Sequence, residues 1–336
     1  MRTKLVPKLL VSLATIVGLV ALAEGGSYLW GSFAGRSSPL RTAFIQGLSQ
    51  HDPVLFWRLR PDADSEDGIH TNSHGLRGPE IPPKPAGEYR ILSLGESTTF
   101  AKQIEYDESY SAVLEQKLNG DGGGKPVRVV NAGVPGYTLF QGYQFLVHRS
   151  AELEPDGVLL YFGINDFLPV AYLTEHAAGE LAAVSGLNDW ELYELRQRPL
   201  ERLREFLSAH SNLYRALSSG EVEANRRAEI AVDPEDQRVP EEHRRKLLAL
   251  SREFCERHGL DLFVAIPWYR EFTTHETLLR ESGQETGAAL IDLPRVLDPR
   301  LAKPRREYFL DNMHPTAEGH RLIAEALYEV LAQRGI

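Results

Sequence analysis

In Ile91-Leu92-Ser93-Leu94-Gly95-Glu96-Ser97-Thr98-Thr99-Phe100 an apolar run ends at a glycine, and a serine follows two residues later. Hydroxyl residues and a helical pattern come next. The run reads as a buried β-strand, a tight turn and a helix N-terminus. A serine so placed lies at the carboxyl end of a strand, where open α/β sheets bind ligands. Its hydroxyl can reach into a cleft, and its backbone N–H can help hold an oxyanion. The plainer alternative is that Ser97 only caps the helix.

Outward from this stretch, apolar runs and amphipathic segments alternate. Expected strands are Arg90–Leu94, Val127–Val130, Val158–Phe162, Leu260–Ile266 and Ala289–Asp292. Expected helices lie around Ser109–Leu118, Leu139–Ala151, Glu241–His258 and Glu276–Ser282, and from about Pro315 to Ala332. Val-, Ile- and Leu-rich strands alternating with helices imply a parallel sheet of about five strands covered on both faces, a three-layer α/β sandwich. Between residues 167 and 240 the alternation breaks into a charged, helix-prone stretch: Glu191–Arg196, Leu200–Leu207 and Glu221–Ile230. It is too long for a plain strand-to-helix connection. It reads as a helical insertion, either beside the site or as a solvated elaboration. No internal repeat is present.

The N-terminus divides off from this body. Arg2, Lys4 and Lys8 precede an uncharged run from Leu9 to Ala23, which Glu24 ends, with Tyr28 and Trp30 beyond it. Residues 1–34 are expected to form a signal-anchor helix that places the rest of the chain outside the membrane. The alternative is cleavage at Ala21-Leu22-Ala23 and secretion. Residues 35–88 carry turn chemistry and a Pro-rich connector, Ile81-Pro82-Pro83-Lys84-Pro85. They read as a lead-in, not a core, docked on the main domain through Val54, Leu55, Phe56 and Trp57. Residues 89–336 form that domain.

Composition narrows the function classes. The 336 residues are 42% hydrophobic and 25% charged, with net charge -10 and one cysteine. No basic stretch stands out, which argues against a nucleic-acid partner. The single Cys255 excludes an internal disulfide framework and a multi-cysteine metal site. It falls in a helical pattern as a small buried residue.

Four short stretches place polar residues at strand ends or before a helix: Gly95-Glu96-Ser97, Asn131-Ala132-Gly133-Val134-Pro135-Gly136, Gly163-Ile164-Asn165-Asp166 and Asp311-Asn312-Met313-His314-Pro315. In a parallel sheet these ends share one edge, so the residues can converge. One turn could bring the Asp311 carboxylate to His314 Nδ1, fixing the tautomer and leaving Nε2 as a base. With Pro315 at the first helical position, His314 would sit near the N-cap. An Asn165 amide and a Gly136 N–H could donate to a developing oxyanion. Taken singly, each has a plain structural reading: a helix-entry loop, an Asx turn or cap, a turn glycine.

In order and spacing, the four stretches resemble those of the SGNH hydrolases, also called GDSL-type esterases and lipases. The resemblance covers residues 89–166 and 260–336. Asn72, Gly75, Leu76 and Arg77 of the lead-in are similar to membrane-anchored bacterial members. It implies a flavodoxin-like fold and an acyl-enzyme ester hydrolase. Ser97 would be the nucleophile, His314 the base and Asp311 its orienting partner. Ser97, Gly136 (in preference to Gly133) and Asn165 would form the oxyanion hole. No metal or organic cofactor is implied. Glu96 stands where aspartate is usual, and Ala101 where glycine is common. The expected substrate is an O-acyl, first an O-acetyl, ester on an extracytoplasmic carbohydrate, met by an enzyme held at the inner membrane and facing the periplasm. Alternatives are acyl transfer to a glycan, lipase or lysophospholipase activity, and a glycan-binding scaffold that keeps the fold. Phe167 and Tyr172, just after Asn165-Asp166, are candidates for the acyl-pocket wall.

Overall fold

A computed structural model describes residues 48–65, 67–120, 125–170, 187–211, 213–214, 237–271 and 273–336, with isolated positions 19, 22, 23 and 26. Most of the expected signal-anchor, Tyr172 and the expected helix Glu221–Ile230 lie outside these residues. Among the described residues no helix is long and apolar enough to cross a membrane.

The chain begins with an antiparallel hairpin, β1 (Ser49–Asp52) and β2 (Phe56–Leu59). Then come β3 (Tyr89–Gly95), the short α1 (Ser97–Phe100), α2 (Tyr110–Gly120), β4 (Val127–Gly133), α3 (Leu139–Arg149) and β5 (Gly157–Tyr161). The insertion contributes α4 (Asp189–Arg196) and α5 (Pro199–His210). The chain closes with α6 (Glu241–His258), β6 (Asp261–Ile266), α7 (Thr273–Glu285), β7 (Ala289–Asp292), α8 (Leu293–Leu297) and α9 (Ala317–Ala332).

Five strands form one parallel sheet in the order β4-β3-β5-β6-β7. Counted along the sheet's own strands this is 2-1-3-4-5, the flavodoxin-like winding, with its switch point between β3 and β5. Successive side chains alternate between the two faces. Leu92, Leu94, Val130, Val158, Leu160 and Val264 join one core, to which α3 adds Phe140, Phe145 and Leu146 and α6 adds Leu247, Leu248 and Cys255. Ile91, Val129, Leu159 and Phe263 join the other, with Leu114 of α2 and Ile323, Leu327 and Leu331 of α9. This is the expected three-layer sandwich. The last helix begins at Ala317, not at Pro315: the Thr316 hydroxyl accepts the Gly319 N–H and caps the first turn. Pro315 and His314 therefore precede the helix in an extended segment.

The lead-in packs against the main domain. Leu55, Phe56, Trp57 and Leu59 belong to the main core, so the hairpin is part of the body. The Trp57 indole N–H donates to Pro135 O at 3.2 Å, and the Tyr137 hydroxyl donates to Trp57 O at 2.6 Å. No period-2 pattern in Ser49–Leu59 announces the hairpin, because its strands have four residues each.

Candidate active site

Register sets the site. Gly95 pairs with Gly133 on one side and Tyr161 on the other, so the loops after β3, β4 and β5 leave the sheet level with one another at the switch point. Ser97 follows β3, Gly136 follows β4, and Asn165 follows β5. The loop before α9 brings His314 to the same edge.

Ser97 opens α1, but its hydroxyl does not cap the helix. Its Oγ lies 2.8 Å from His314 Nε2, and His314 Nδ1 lies 2.6 Å from Asp311 Oδ2. Asp311 Oδ1 accepts the N–H groups of Met313 and His314, both at 2.8 Å. Burial pushes the Asp311 carboxyl up, but the His314 side chain and these two N–H groups outweigh it and hold the group below its ordinary range. An ionised Asp311 can only accept, so Nδ1 carries the imidazole proton. Nε2 is then left to accept from the Ser97 hydroxyl. The turn is tied down by Leu310 N to His314 O at 2.8 Å and by Arg270 N to Asn312 O at 3.0 Å.

The other side is built on a turn. Tyr137 N donates to Val134 O at 3.1 Å, closing Val134-Pro135-Gly136-Tyr137. Proline at the second position and a glycine at the third with φ of 79° make it a type II turn, which disfavours any other residue at 136. The Gly136 N–H takes no part in the turn's own bond. The Asn165 amide nitrogen donates to Tyr137 O at 2.9 Å, and its second hydrogen is left for an acceptor in the cleft.

Residues that sequence reasoning missed hold this turn. Arg238, fully buried, donates to Gly136 O at 2.7 Å, to Gln141 Oε1 at 3.1 Å and to both oxygens of the buried Asp189. Asp189 Oδ2 also accepts from Thr138 Oγ1 at 2.7 Å. Asp166 takes the Leu139 N–H at 2.8 Å on one oxygen and Arg244 at 3.2 Å on the other. Burial pushes the Asp166 carboxyl up, against the pull of Arg244 and the Leu139 N–H. The two ends of the insertion meet here: Arg238 N donates to Leu168 O, and Val239 N to Asp166 O. The insertion is thus more than a solvated elaboration, because its Asp189 and Arg238 brace the Gly136 turn. Phe167 is half-buried, with the Arg244 guanidinium 4.0 Å from its ring centroid.

The two departures from the family pattern each have a local answer. Ala101 adopts a left-handed conformation, φ 59° and ψ 46°, which glycine takes more easily. Arg77 of the lead-in secures that corner, donating to the carbonyls of Phe100, Ala101 and Ile104. Glu96 is fully buried, and its Oε1 accepts from the Tyr269 hydroxyl at 2.6 Å. Among the described residues no group of three His, Cys, Asp or Glu side chains is placed to hold a metal ion.

A serine, an oriented imidazole and two kinds of N–H donor at one sheet edge form a set suited to attack on a carbonyl. A model of the GDSL-like Lipase/Acylhydrolase family matches residues 93–275, which hold Ser97, Gly136 and Asn165. No curated protein matches the chain. Among solved structures, LAE5, an alpha/beta hydrolase from the metagenome of Lake Arreo, Spain, is 18% identical, with 73% of this chain and 95% of that one covered and a TM-score of 0.44. Axe2, an acetylxylan esterase from Geobacillus stearothermophilus, is 16% identical, with 72% and 94% covered and a TM-score of 0.44. The lipase/acylhydrolase from Enterococcus faecalis is 15% identical, with 73% and 96% covered and a TM-score of 0.44.

Proposed function

The chain belongs to the GDSL-like lipase/acylhydrolase family and is a carboxylic ester hydrolase, and on that premise we propose a serine-dependent acyl-enzyme mechanism with Ser97 as the nucleophile. The observation that carries it is the unbroken line from Ser97 Oγ through His314 to Asp311, at 2.8 Å and 2.6 Å. Ser97 Oγ attacks the ester carbonyl carbon as its proton passes to His314 Nε2. Asp311 holds the imidazole in orientation and stabilises the imidazolium. The carbonyl oxygen becomes an oxyanion facing the N–H groups of Ser97 and Gly136 and the Asn165 amide. On collapse the alcohol leaves with the proton from His314, and the acyl group stays on Ser97. Water, deprotonated by His314, attacks the acyl carbonyl. The second collapse releases the acid and restores the serine.

The substrate we propose is an O-acyl, first an O-acetyl, ester on a carbohydrate outside the cytoplasm. Two features support this reading. The basic flank and apolar run of residues 2–23 suit export with an inner-membrane anchor. The charge-rich insertion, pinned at Leu168 and Arg238 beside Asn165, suits a polar substrate better than a long lipid tail. The test is a panel of esters of increasing acyl length, run with the full chain and with Ser97→Ala. The expected result is a preference for acetyl, lost in the variant. A preference for long acyl chains would sink the carbohydrate-ester reading. Acetyl turnover that yields acylated sugar in place of free acid would make the enzyme a transferase.

A further inference from the structure

Glu96 and Tyr269 are buried polar side chains that the mechanism above does not use, yet they touch both halves of the site. The Tyr269 hydroxyl accepts the Ile164 N–H at 3.0 Å and donates to Glu96 Oε1 at 2.6 Å. Ile164 immediately precedes Asn165, and Glu96 immediately precedes Ser97. One phenol oxygen therefore joins the residue before the nucleophile to the residue before the oxyanion amide. Both side chains are fully buried. The fit is close: a Cβ on Gly163 would lie 2.8 Å from the Tyr269 hydroxyl.

We propose that Tyr269, acting through Glu96 and the Ile164 N–H, is a positioning residue that fixes the separation between Ser97 and the Asn165 oxyanion donor. The inference rests on Ser97 and Asn165 having the roles given above. The reach of a glutamate is what makes it work. An aspartate at 96 would withdraw the carboxylate by one methylene and break a 2.6 Å bond. The sheet supplies the rest of the frame, because Tyr269 hangs from the loop after β6, next to β5. A misplacement of about 1 Å between reacting groups can cost roughly 100-fold in rate.

The surroundings also control the charge on Glu96. Burial pushes its carboxyl up to about 8; the Tyr269 hydroxyl opposes this, Asp166 adds to it, and the Asn165 N–H and Arg238 pull down. The phenols of Tyr110 and Tyr161 face the same carboxyl. Below about pH 8 the uncharged form of Glu96 is favoured, and its carboxyl adds no charge of its own between Ser97 and Asn165. Above pH 8 it ionises, and a buried negative charge then opposes the transition state.

The experiment measures kcat, KM and thermal midpoint on one acetyl ester for the full chain and for Ser97→Ala, Tyr269→Phe, Glu96→Asp, Glu96→Gln and the Tyr269→Phe/Glu96→Asp double variant. Tyr269→Phe should lower kcat by about 10- to 100-fold with KM little changed. Glu96→Asp should do the same. The double variant should lose no more than the worse single one, because both break one bond. Glu96→Gln keeps a carbonyl acceptor for Tyr269, so it should lose less than Glu96→Asp, and it should abolish the alkaline fall in kcat near pH 8. Wild-type kcat in Tyr269→Phe, or losses that multiply in the double variant, would overturn the inference. If Tyr269→Phe does not fold, the two Glu96 variants decide: Gln no better than Asp, with the alkaline fall retained in Gln, overturns it. Activity persisting in Ser97→Ala would overturn the nucleophile reading and this inference together. Activity lost in Ser97→Ala but intact in Tyr269→Phe would overturn this inference alone.

Discussion

Asp311 leaves 53% of its side chain in solvent, whereas Arg238 and Asp189, which brace the Gly136 turn, are 0% exposed. The Asp311–His314 pair is held by a few bonds in an exposed turn. The Gly136–Asn165 side is clamped from behind by two buried ion pairs, Arg238 with Asp189 and Arg244 with Asp166. The two sides have different work to do. In the proposed mechanism a proton moves along the first, and a short chain of hydrogen bonds suffices to aim it. In the same proposed mechanism negative charge develops at the second, where donors must already point at it and must not reorganise. Both the lead-in and the insertion reach the second side, through Trp57 and Arg238 at the Pro135-Gly136 turn, and the lead-in also reaches the first through Arg77.

His314→Ala should do the largest damage. It removes the group through which every proton passes, and kcat should fall by about 10⁴- to 10⁶-fold while the thermal midpoint stays near wild type. Equal loss of rate and of folding would mean that the exposed side is not separable from the fold. Arg238→Met attacks the other side. It leaves Asp189 buried without its cation, so unfolding free energy should drop by about 3–5 kcal/mol. Adding Asp189→Asn should recover part of the loss. A stability change near zero would remove the clamp from this account.

Asn165→Ala is a smaller and cleaner cut. The amide donates to Tyr137 O, and with the oxyanion role proposed for it kcat should fall by roughly 10²- to 10³-fold with KM little altered. A rise in KM at constant kcat would move Asn165 from transition-state stabilisation to substrate binding. The mildest test is Ala101→Gly, which relieves the left-handed alanine beside the nucleophile helix. It should stabilise the fold by up to about 1 kcal/mol and should lessen the harm done by Arg77→Ala. No gain in the thermal midpoint would mean that Arg77 already removes the strain.

Much of this was legible in the sequence, for a physical reason. β3, β4 and β5 are largely apolar runs buried on both faces, and each is followed by a glycine or polar turn, so strand and site residue announce each other. Ser97, Gly136, Asn165, Asp311 and His314 were all readable as loop residues at strand ends or before a helix, and the structure brings them to one edge. The braces were not readable. Arg238 lies 102 residues from Gly136, and Tyr269 lies 173 from Glu96. In sequence they are one arginine and one tyrosine with no local periodicity, and only the long-range contact gives them a role. The hairpin was missed for a related reason: its strands are too short for alternation to show, and Phe56 enters β2 with a positive φ of 67°. The structural place of Tyr172 lies outside the described residues.

The account stands on Ser97 as the atom that takes the acyl group, and covalent trapping tests it most directly. The full chain would be treated with an activated phosphonate ester and the labelled peptide found by mass spectrometry. The predicted result is a single adduct on Ser97, formed far more slowly in His314→Ala and absent from Ser97→Ala. An adduct on another residue, or undiminished ester turnover in Ser97→Ala with no adduct at all, would contradict it.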